Sequence, residues 1–488
     1  MSQTTDSQIQ SLFRQAGKNL PAIDQLASHL LQRRLPLKHA LRAYKDFLTY
    51  KPGSAIAAHN YAWYLGKDAQ FEAAINMYQR ALKLGIDAPE EVNLNIANIY
   101  MEQLRDHGQA RIHLQKALAK NPGYAGAYFN LGNLEEQAGD RTAAVRSFEQ
   151  CLKIDPGNES ALARLADTHR FVEEDDPLLA KLNTAVKSGN NSDLQFALGK
   201  AYEQLGDFEA AWRHFASGNA MDKRAFPPYR QDHTEAVFRQ IMLQCTKEWI
   251  SRFEGDSHDP VFICGMFRTG STLLEQVLAA HPSFTAGGES EFFPRLIARE
   301  FPAYPRGLDN MNSGKLLSWK KAHKEQSKKL VGESTRLTDK RPDNFLYIGL
   351  IKAILPSAKF IVTERDWRDV ATSIFSTRLG ASQNYATSLE NIRHYIGLQA
   401  ELVDHWQSIL GSDLERVRYE DLVSEPRDTV SDVLQSLGEA WDERCLTFHK
   451  LKNSVQTASV WQVREPFHTK SIGRWRNYKS QFEDTFTS

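Results

Sequence analysis

Small residues recur at nearly constant spacing along the first half of the chain. They stand within amphipathic segments such as FEAAINMYQRAL (71–82), TAAVRSFEQCLKIDP (142–156) and FEAAWRHFASG (208–218). The intervals between them are 34, 36, 34 and 67 residues, and the positions are Ala40, Ala74, Ala110, Ala144 and Ala211. Apolar residues three or four apart predict helices with one buried face. The period predicts stacked helix pairs, in which the small residue stands where two helices approach closely.

The repeated segments resemble tetratricopeptide repeats, with five or six copies over about residues 20–222. A Leu-Gly pair precedes the small residue in some units, as at Leu131-Gly132 and Leu198-Gly199. Between residues 157 and 192 the helical character persists without the motif. The resemblance implies an α-solenoid whose surface binds a peptide or protein. The alternative is an array that only supports or dimerises the second half of the chain.

A glycine-rich loop follows the first strand-like segment of the second half. The run PVFIC (260–264) is apolar and typical of a buried strand, and TLLEQVLAAHP (272–282) has helical spacing. The loop GMFRTGST (265–272) resembles a nucleotide-binding P-loop, but Ser271 stands where such loops have lysine. Successive N–H groups and a helix N-terminus favour an anion. We therefore predict an anion site in which Arg268 supplies the local positive charge.

The segment AKFIVTERDWRDVATSIFSTR (358–378) repeats the pattern of a strand followed by a helix. Arg365 stands at the carboxyl end of the predicted strand, and Ser373 lies eight residues later in the helix. Ligands of open α/β sheets bind at the carboxyl ends of the strands, where a guanidinium can hold a phosphate. We predict a second phosphate contact here, although a surface Arg–Asp pair would also explain these residues. The predicted architecture is a helical repeat domain over residues 1–252 and a P-loop-like α/β domain with a parallel sheet over 258–488.

About residues 258–480 resemble the sulfotransferases, and among them the tyrosylprotein sulfotransferases. The segments RTGSTLLEQVLAAHP, TDKRPDNF, VRYEDLV and SVWQVREPFHTKSIGRW match family segments in order and spacing. The resemblance implies 3′-phosphoadenosine 5′-phosphosulfate as co-substrate, with the loop at its phosphosulfate and the Arg…Ser pair at its 3′-phosphate. The implied cofactor contacts are Arg268, Thr269, Gly270, Ser271, Thr272, Arg365, Ser373, Tyr419, Ser459 and Arg474.

The same resemblance implies the catalytic groups. Glu289, seven residues after Pro282, inherits the role of general base, and the other implied catalytic residues are Arg268, Lys340 and Ser459. The local sequence is GGESE where the family has G-E-E-T, so Glu291 is an alternative candidate for the general base. Thr377 stands where the family has a further cofactor arginine, with Arg378 next to it. The family's enzymes are membrane-anchored and lumenal and lack the repeats.

Charge and composition narrow the class of partner. The 60 Lys and Arg residues balance 60 Asp and Glu residues, which argues against binding along nucleic acid. No apolar run approaches the roughly 18 residues of a membrane span, and we find no signal peptide. We therefore expect a cytoplasmic protein without a membrane anchor. The four cysteines form no C-x-x-C pair and the histidines have no ligand spacing, so we expect no metal.

These observations predict a sulfotransferase acting on an acceptor hydroxyl, with a protein or peptide tyrosine presented by the repeats as the first candidate. A carbohydrate, lipid or small phenol remains open as the acceptor. Whether the chain forms a homodimer is a separate open question. A function of another class is a repeat scaffold whose sulfotransferase-like half binds a nucleotide or a partner without turnover. A kinase is disfavoured because Ser271 replaces the P-loop lysine and no aspartate is evident as a Mg²⁺ ligand.

Overall fold

The computed structural model describes residues 13, 18–33, 35–188, 191–253, 260–331, 336–451, 453–457 and 459–486. Contacts divide the chain into two compact units. The first contains residues 1–136 and 140–161, and the second contains residues 137–139 and 162–488. Residues 254–257, which lie between the two predicted domains, are outside the described residues.

The first unit is built of helices joined by short turns. Its helices are α1 (Leu20–Gln32), α2 (Lys38–Tyr50), α3 (Ala55–Lys67), α4 (Phe71–Lys83), α5 (Pro89–Asn98), α6 (His107–Lys120), α7 (Ala125–Ala138) and α8 (Arg141–Ile154). Several begin at a side chain that accepts a hydrogen bond from the first turn, as at Ser54, Asp106 and Asp140. The last two residues of α7 count with the second unit.

The small residues lie where the repeat pattern predicts them. Ala40, Ala74, Ala110 and Ala144 are fully buried. A Cβ added to Gly132 in α7 would come within 2.5 Å of the Phe148 ring in α8, so only glycine allows these two helices to approach this closely. The expectation of close helix pairs with a small residue at the contact is thus confirmed.

The second unit begins with helices that extend the series. They are α9 (Glu159–Thr168), which starts in the first unit, α10 (Pro177–Ser188), α11 (Ser192–Leu205), α12 (Phe208–Ala225), α13 (Gln231–Gln244) and α14 (Lys247–Ile250). Residues 236–253 do not form one continuous helix, because Thr246 caps α14 by accepting from the Trp249 N–H at 3.2 Å. The domain boundary between 252 and 258 stays a prediction, while α10 to α14 belong to the same compact unit as the sheet.

Five parallel strands form the sheet of the second unit. They are β1 (Val261–Gly265), β2 (Phe284–Ala286), β3 (Arg336–Lys340), β4 (Lys359–Glu364) and β5 (Leu414–Arg418), in the order β2-β3-β1-β4-β5. β1 is central and buried at all five residues, as its apolar sequence predicts. The parallel α/β fold is confirmed. Because all strands are parallel, their carboxyl ends meet at one edge.

Helices cover the sheet and set the positions of its edge residues. They are α15 (Ser271–Ala279), α16 (Phe292–Glu300), α17 (Ser313–Val331), α18 (Ile348–Ile354), α19 (Trp367–Phe375), α20 (Leu389–Leu410), α21 (Tyr419–Ser424), α22 (Pro426–Ser436) and α23 (Lys479–Phe486). α11 and α12 share a buried cluster with α19, in which Phe196 and Phe215 join Val370 and Phe375. Among the described helices, none is both long and apolar enough to cross a membrane.

Candidate active site

Each of the five strands leads directly to one of the residues predicted for the site. The carboxyl ends of parallel strands are where such folds collect their ligands. Lys340 is the last residue of β3, and the other four follow their strands by one to three residues. In the order of the sheet these residues are Glu289 after β2, Lys340 in β3, Arg268 after β1, Arg365 after β4 and Tyr419 after β5. The topology therefore places predicted residues from distant motifs along one edge.

The glycine loop between β1 and α15 turns through backbone conformations that favour glycine. Gly265 has φ +141° and Gly270 has φ +94°. A Cβ at Gly265 would lie 2.4 Å from the Thr363 carbonyl oxygen, and one at Gly270 would lie 2.7 Å from the Tyr419 ring. Arg268 also has a positive φ, +73°, which is uncommon for a residue with a side chain. The loop is thus tightly bent, and Ser271 begins the helix directly after it.

The hydroxyls of the loop differ in their roles. Thr269 Oγ1 donates to the Met266 carbonyl at 2.7 Å and lies 2.7 Å from Thr363 Oγ1, so this side chain stabilises the loop itself. Thr272 Oγ1 lies 3.5 Å from Thr457 Oγ1. Ser271 and Thr272 are buried in the first turn of α15. Contact of any of them with a ligand stays a prediction.

Arg268 connects two other predicted residues, Ser373 and Ser459, and one residue that was not predicted, Gln462. Its Nε donates to Ser373 Oγ at 3.0 Å, its Nη1 to Ser459 Oγ at 2.5 Å, and its Nη2 to Gln462 Oε1 at 3.2 Å. All three acceptors are neutral. Burial, and then the charges of Arg474 and Arg365, lower the pKa of Arg268 to about 10. The guanidinium therefore stays charged at neutral pH, with no carboxylate among these hydrogen-bond partners.

Arg365 lies beside the loop with its side chain only 6% exposed. Its Nη1 donates to the Arg268 carbonyl at 3.2 Å, and its Nη2 donates to the Ser471 carbonyl and lies 3.9 Å from Asp369 Oδ2. The guanidinium carbon stands 4.5 Å from the centre of the Tyr419 ring. Its buried Nε makes no hydrogen bond within the described part of the chain. A buried charged donor without a partner suits an anionic ligand, which would supply the missing acceptor.

Arg474 is placed beside these two arginines by the C-terminal segment. The N–H groups of Gly473 and Trp475 donate to Asp369 at 2.6 and 3.0 Å, which fixes the backbone on both sides of Arg474. Its Nη2 donates to Ser376 Oγ at 2.9 Å. Ser376 lies one helical turn after Ser373, the serine that contacts Arg268. Three guanidiniums thus converge on one side of the sheet edge.

Glu289 and Lys340 form the second part of the site. Lys340 is fully buried, and its Nζ donates to Glu289 Oε1 at 2.6 Å. The two glycines before Glu289 continue the pairing of β2 with β3, because the Gly287 N–H donates to the Thr338 carbonyl and the Lys340 N–H donates to the Gly288 carbonyl, both at 2.9 Å. This pairing sets the position of Glu289 opposite the end of β3.

Glu291, the predicted rival of Glu289, faces a different cation. Its Oε1 accepts from Arg341 Nη1 at 2.5 Å, and Arg341 Nε also donates to Asp343 at 2.7 Å. The Glu291 side chain is 49% exposed, against 35% for Glu289. Of the two glutamates, Glu289 is therefore the one that contacts another predicted site residue.

Comparison with known proteins identifies both halves of the chain. Residues 260–443 match the family model described as "Sulfotransferase family", and residues 60–123 and 94–227 match models described as "Tetratricopeptide repeat". The chain contains a sulfotransferase domain preceded by tetratricopeptide repeats. Both resemblances inferred from the sequence are thereby confirmed.

Relatives are distant, and they match different parts of the chain. An uncharacterized protein of Aquifex aeolicus (strain VF5) is 27% identical over 410 residues, which is 80% of this chain and 54% of that protein. Protein-tyrosine sulfotransferase A of Caenorhabditis elegans is 25% identical over 250 residues, 44% of this chain and 60% of that protein. The chain thus spans just over half the length of these two relatives.

The matches to solved structures are also distant. The sulfotransferase domain of the Synechococcus PCC 7002 olefin synthase is 19% identical and covers 48% of this chain and 98% of that one, with a TM-score of 0.35. A tetratricopeptide repeat protein from Parabacteroides merdae is 18% identical and covers 44% of this chain and 84% of that one, with a TM-score of 0.34.

Several polar residues of the sulfotransferase domain that hold the site in place escaped the sequence analysis. Glu275 in α15 is buried and accepts from the Gly288 N–H at 2.8 Å and from Thr338 Oγ1 at 3.2 Å, so it fixes the turn before Glu289. Its signal was a glutamate within the apolar segment TLLEQVLAAHP. Asp369 and Gln462 gave no comparable signal, because their partners are distant in the sequence.

Thr377 stands where the family has a further cofactor arginine, and the neighbouring Arg378 is already paired with two carboxylates. Its Nε lies 3.2 Å from Asp222 Oδ2, and its Nη1 lies 3.1 Å from Asp193 Oδ2. Both carboxylates belong to the preceding helices α11 and α12. Among the residues that the structure describes, no group of three or more His, Cys, Asp or Glu side chains could hold a metal.

Proposed function

We propose that this chain transfers the sulfuryl group of 3′-phosphoadenosine 5′-phosphosulfate to an acceptor hydroxyl, with a tyrosine of a protein or peptide as the acceptor. The observation that supports this most is the common location of Arg268, Ser373 and Ser459, since Arg268 donates to both serines. The sequence predicted all three for one cofactor from separate motifs.

The described residues fit a ligand that carries phosphates. Arg365 has a buried Nε without a hydrogen-bond partner among the described residues, and it lies beside two further guanidiniums. The bent glycine loop ends at the N-terminus of α15, where backbone N–H groups favour an anion. In the proposed complex Arg365 and Ser373 hold the 3′-phosphate, and Arg268 with the loop holds the 5′ end. When bound, the co-substrate supplies an SO₃ group attached to a phosphate leaving group.

The protein's part in this reaction is to take a proton and to offset negative charge. A phenol has a pKa of about 10, so a tyrosine acceptor needs a base at neutral pH. The proposed base is the Glu289 carboxylate, which would accept the hydroxyl proton. Lys340, held against Glu289, and Arg268 would offset charge on the transferred group and on the leaving phosphate. Ser459, whose hydroxyl accepts from Arg268, would contact the same phosphates.

The proposal also specifies a tyrosine of a protein or peptide as the acceptor and the cytoplasm as the compartment. The relatives named protein-tyrosine sulfotransferases motivate a tyrosine acceptor, and the repeats motivate a protein or peptide that they present. All four cysteines are buried free thiols, which is compatible with the reducing cytoplasm. A carbohydrate, a lipid or a small phenol is the alternative acceptor, and a scaffold without turnover is the alternative class.

Incubation with radiolabelled phosphosulfate donor and a whole-cell lysate tests the proposal. Label in the protein fraction, released by hydrolysis as sulfotyrosine, is the expected result. Label in glycan, lipid or small-molecule fractions would keep the enzyme and change the acceptor. Bound donor without any transfer would instead favour the scaffold, and the Glu289→Gln variant provides the background level.

A further inference from the structure

A carboxylate from a repeat-type helix holds one of the three site arginines. Arg474 Nε donates to Glu203 Oε1 and Arg474 Nη2 donates to Glu203 Oε2, both at 2.6 Å. The Tyr478 hydroxyl donates to Glu203 Oε1 at 3.0 Å. The Arg474 and Glu203 side chains are 23% and 19% exposed. This is a bidentate, largely buried ion pair, the geometry in which an arginine is most firmly oriented.

The helix that carries Glu203 is itself firmly packed against the sulfotransferase domain. A Cβ on Gly199 in α11 would come within 2.5 Å of the Phe215 ring in α12. From α12, the Trp212 ring stacks on Phe375 with ring centres 4.5 Å apart, and Asn219 Nδ2 donates to the Phe375 carbonyl at 2.8 Å. Phe375 is the last residue of α19, the helix that carries Ser373. The packing of α11 on α12, and of α12 on α19, therefore fixes the position from which Glu203 contacts Arg474.

Charge explains why Arg474 needs such a partner. Arg474 lies near Arg268 and Arg365, and like charges at close range repel one another. The acceptors of Arg268 are neutral, so they bring no negative charge to offset the three guanidiniums. Within the part of the chain that the structure describes, the hydrogen bonds of Arg474 use Nε and Nη2, so Nη1 is the donor that we expect to meet a ligand.

We propose that Glu203 is a positioning residue of the co-substrate site: it orients Arg474 toward a phosphate, and the α11–α12 hairpin is thereby a built-in part of that site. This inference rests on the proposed function, because it assumes that Arg474 meets the phosphates. It gives the last repeat-type helices a role different from acceptor binding. They support the site that holds the donor.

Calorimetric titration of the full chain with adenosine 3′,5′-bisphosphate tests the inference. We expect Glu203→Gln to weaken binding on the order of tenfold, because the amide loses the charge that orients Arg474. Arg474→Ala should weaken binding at least as much. Glu203→Gln added to Arg474→Ala should cause no further loss, since the orienting role acts only through Arg474.

Asp222→Asn is the matched control. This substitution breaks the ion pair between Asp222 of α12 and Arg378. Like the pair of Glu203 with Arg474, it joins a repeat-type helix to the sulfotransferase domain. Both Asp222→Asn and Glu203→Gln should lower the Tm, because each breaks a partly buried ion pair, but Asp222→Asn should leave affinity for the bisphosphate unchanged. Unchanged or tighter binding by Glu203→Gln would overturn the inference. So would a loss of equal size in the Arg474→Ala background or in Asp222→Asn. If the unmodified chain failed to bind the bisphosphate, the proposed function would fail, and the inference with it.

Discussion

The two sides of the sheet edge carry opposite excess charge. On the guanidinium side, Arg365 contacts the carboxylate of Asp369, Arg474 contacts that of Glu203, and Arg268 contacts only neutral acceptors among the described residues. On the ion-pair side, the two cations Lys340 and Arg341 contact the three carboxylates Glu289, Glu291 and Asp343. An excess of guanidinium suits a ligand with several phosphates, and an excess of carboxylate suits removal of a proton. One edge can thus separate donor binding from acceptor activation.

The largest expected effect is a loss of turnover, caused by a substitution on the ion-pair side, that leaves affinity for the co-substrate product nearly unchanged. Glu289→Gln keeps the shape of the side chain and removes its basicity, so it should lower turnover by roughly 10²–10⁴-fold. Affinity for adenosine 3′,5′-bisphosphate should stay within about twofold, because the guanidinium side is unchanged. Steady-state kinetics and calorimetry measure the two quantities.

Glu291→Gln is the control for that prediction, since its partner is Arg341 rather than Lys340. It should retain turnover close to that of the unmodified chain. Loss of turnover in Glu291→Gln, with Glu289→Gln still active, would move the base to Glu291. Full activity in both variants would leave Arg268 and Lys340 as the main catalytic groups.

An intermediate effect is expected from the guanidinium side. Arg365→Ala removes a hydrogen bond to a charged group, which is worth about 1.5–3 kcal/mol. Affinity for the bisphosphate should therefore fall roughly 10- to 150-fold, measured by calorimetry. Arg365→Lys should recover only part of the loss, because an ammonium lacks the planar pair of donors.

Arg378→Ala is the matched control, because Arg378 is a nearby guanidinium that is already paired with Asp193 and Asp222. It should leave affinity for the bisphosphate unchanged. If Arg365→Ala bound as tightly as the unmodified chain, the assignment of the 3′-phosphate to Arg365 would be wrong.

The smallest expected effect concerns salt. Raising NaCl from about 0.05 M to about 0.5 M screens charge, so affinity for the bisphosphate should fall a few-fold. The KM of a neutral phenol acceptor should change less, because the ion-pair side binds no charged group of that substrate. Equal salt dependence of the two quantities, measured on one preparation, would remove the distinction between the sides.

Local patterns in the sequence were enough to predict two of the strand-end residues, Arg268 and Arg365. Apolar runs located β1 and β4, and the parallel sheet brings residues directly after each strand to one edge. Arg268 and Arg365 follow such runs. Glu289 and Lys340 came from the family resemblance, and their contact could not be foreseen, because it depends on Gly287 and Gly288 continuing the pairing of β2 with β3.

The residues that support the site could not be read from local patterns. Glu203 stands in a repeat-type helix and its partner Arg474 lies 271 residues later. In the repeat pattern a glutamate near the end of a helix is equally typical of an exposed surface. Only the packing of α11 and α12 against α19 brings it to Arg474. Periodicity therefore identifies the helix pair, whereas the tertiary contacts decide what its polar face does.

Metal-free binding of the co-substrate product tests the central claim most directly. Calorimetry of the full chain with adenosine 3′,5′-bisphosphate, without added metal, should show saturable binding at one site. Mg-ATP should bind more weakly, because it lacks the 3′-phosphate that Arg365 is proposed to hold and the loop lacks a P-loop lysine. Equal or tighter binding of Mg-ATP would contradict the account.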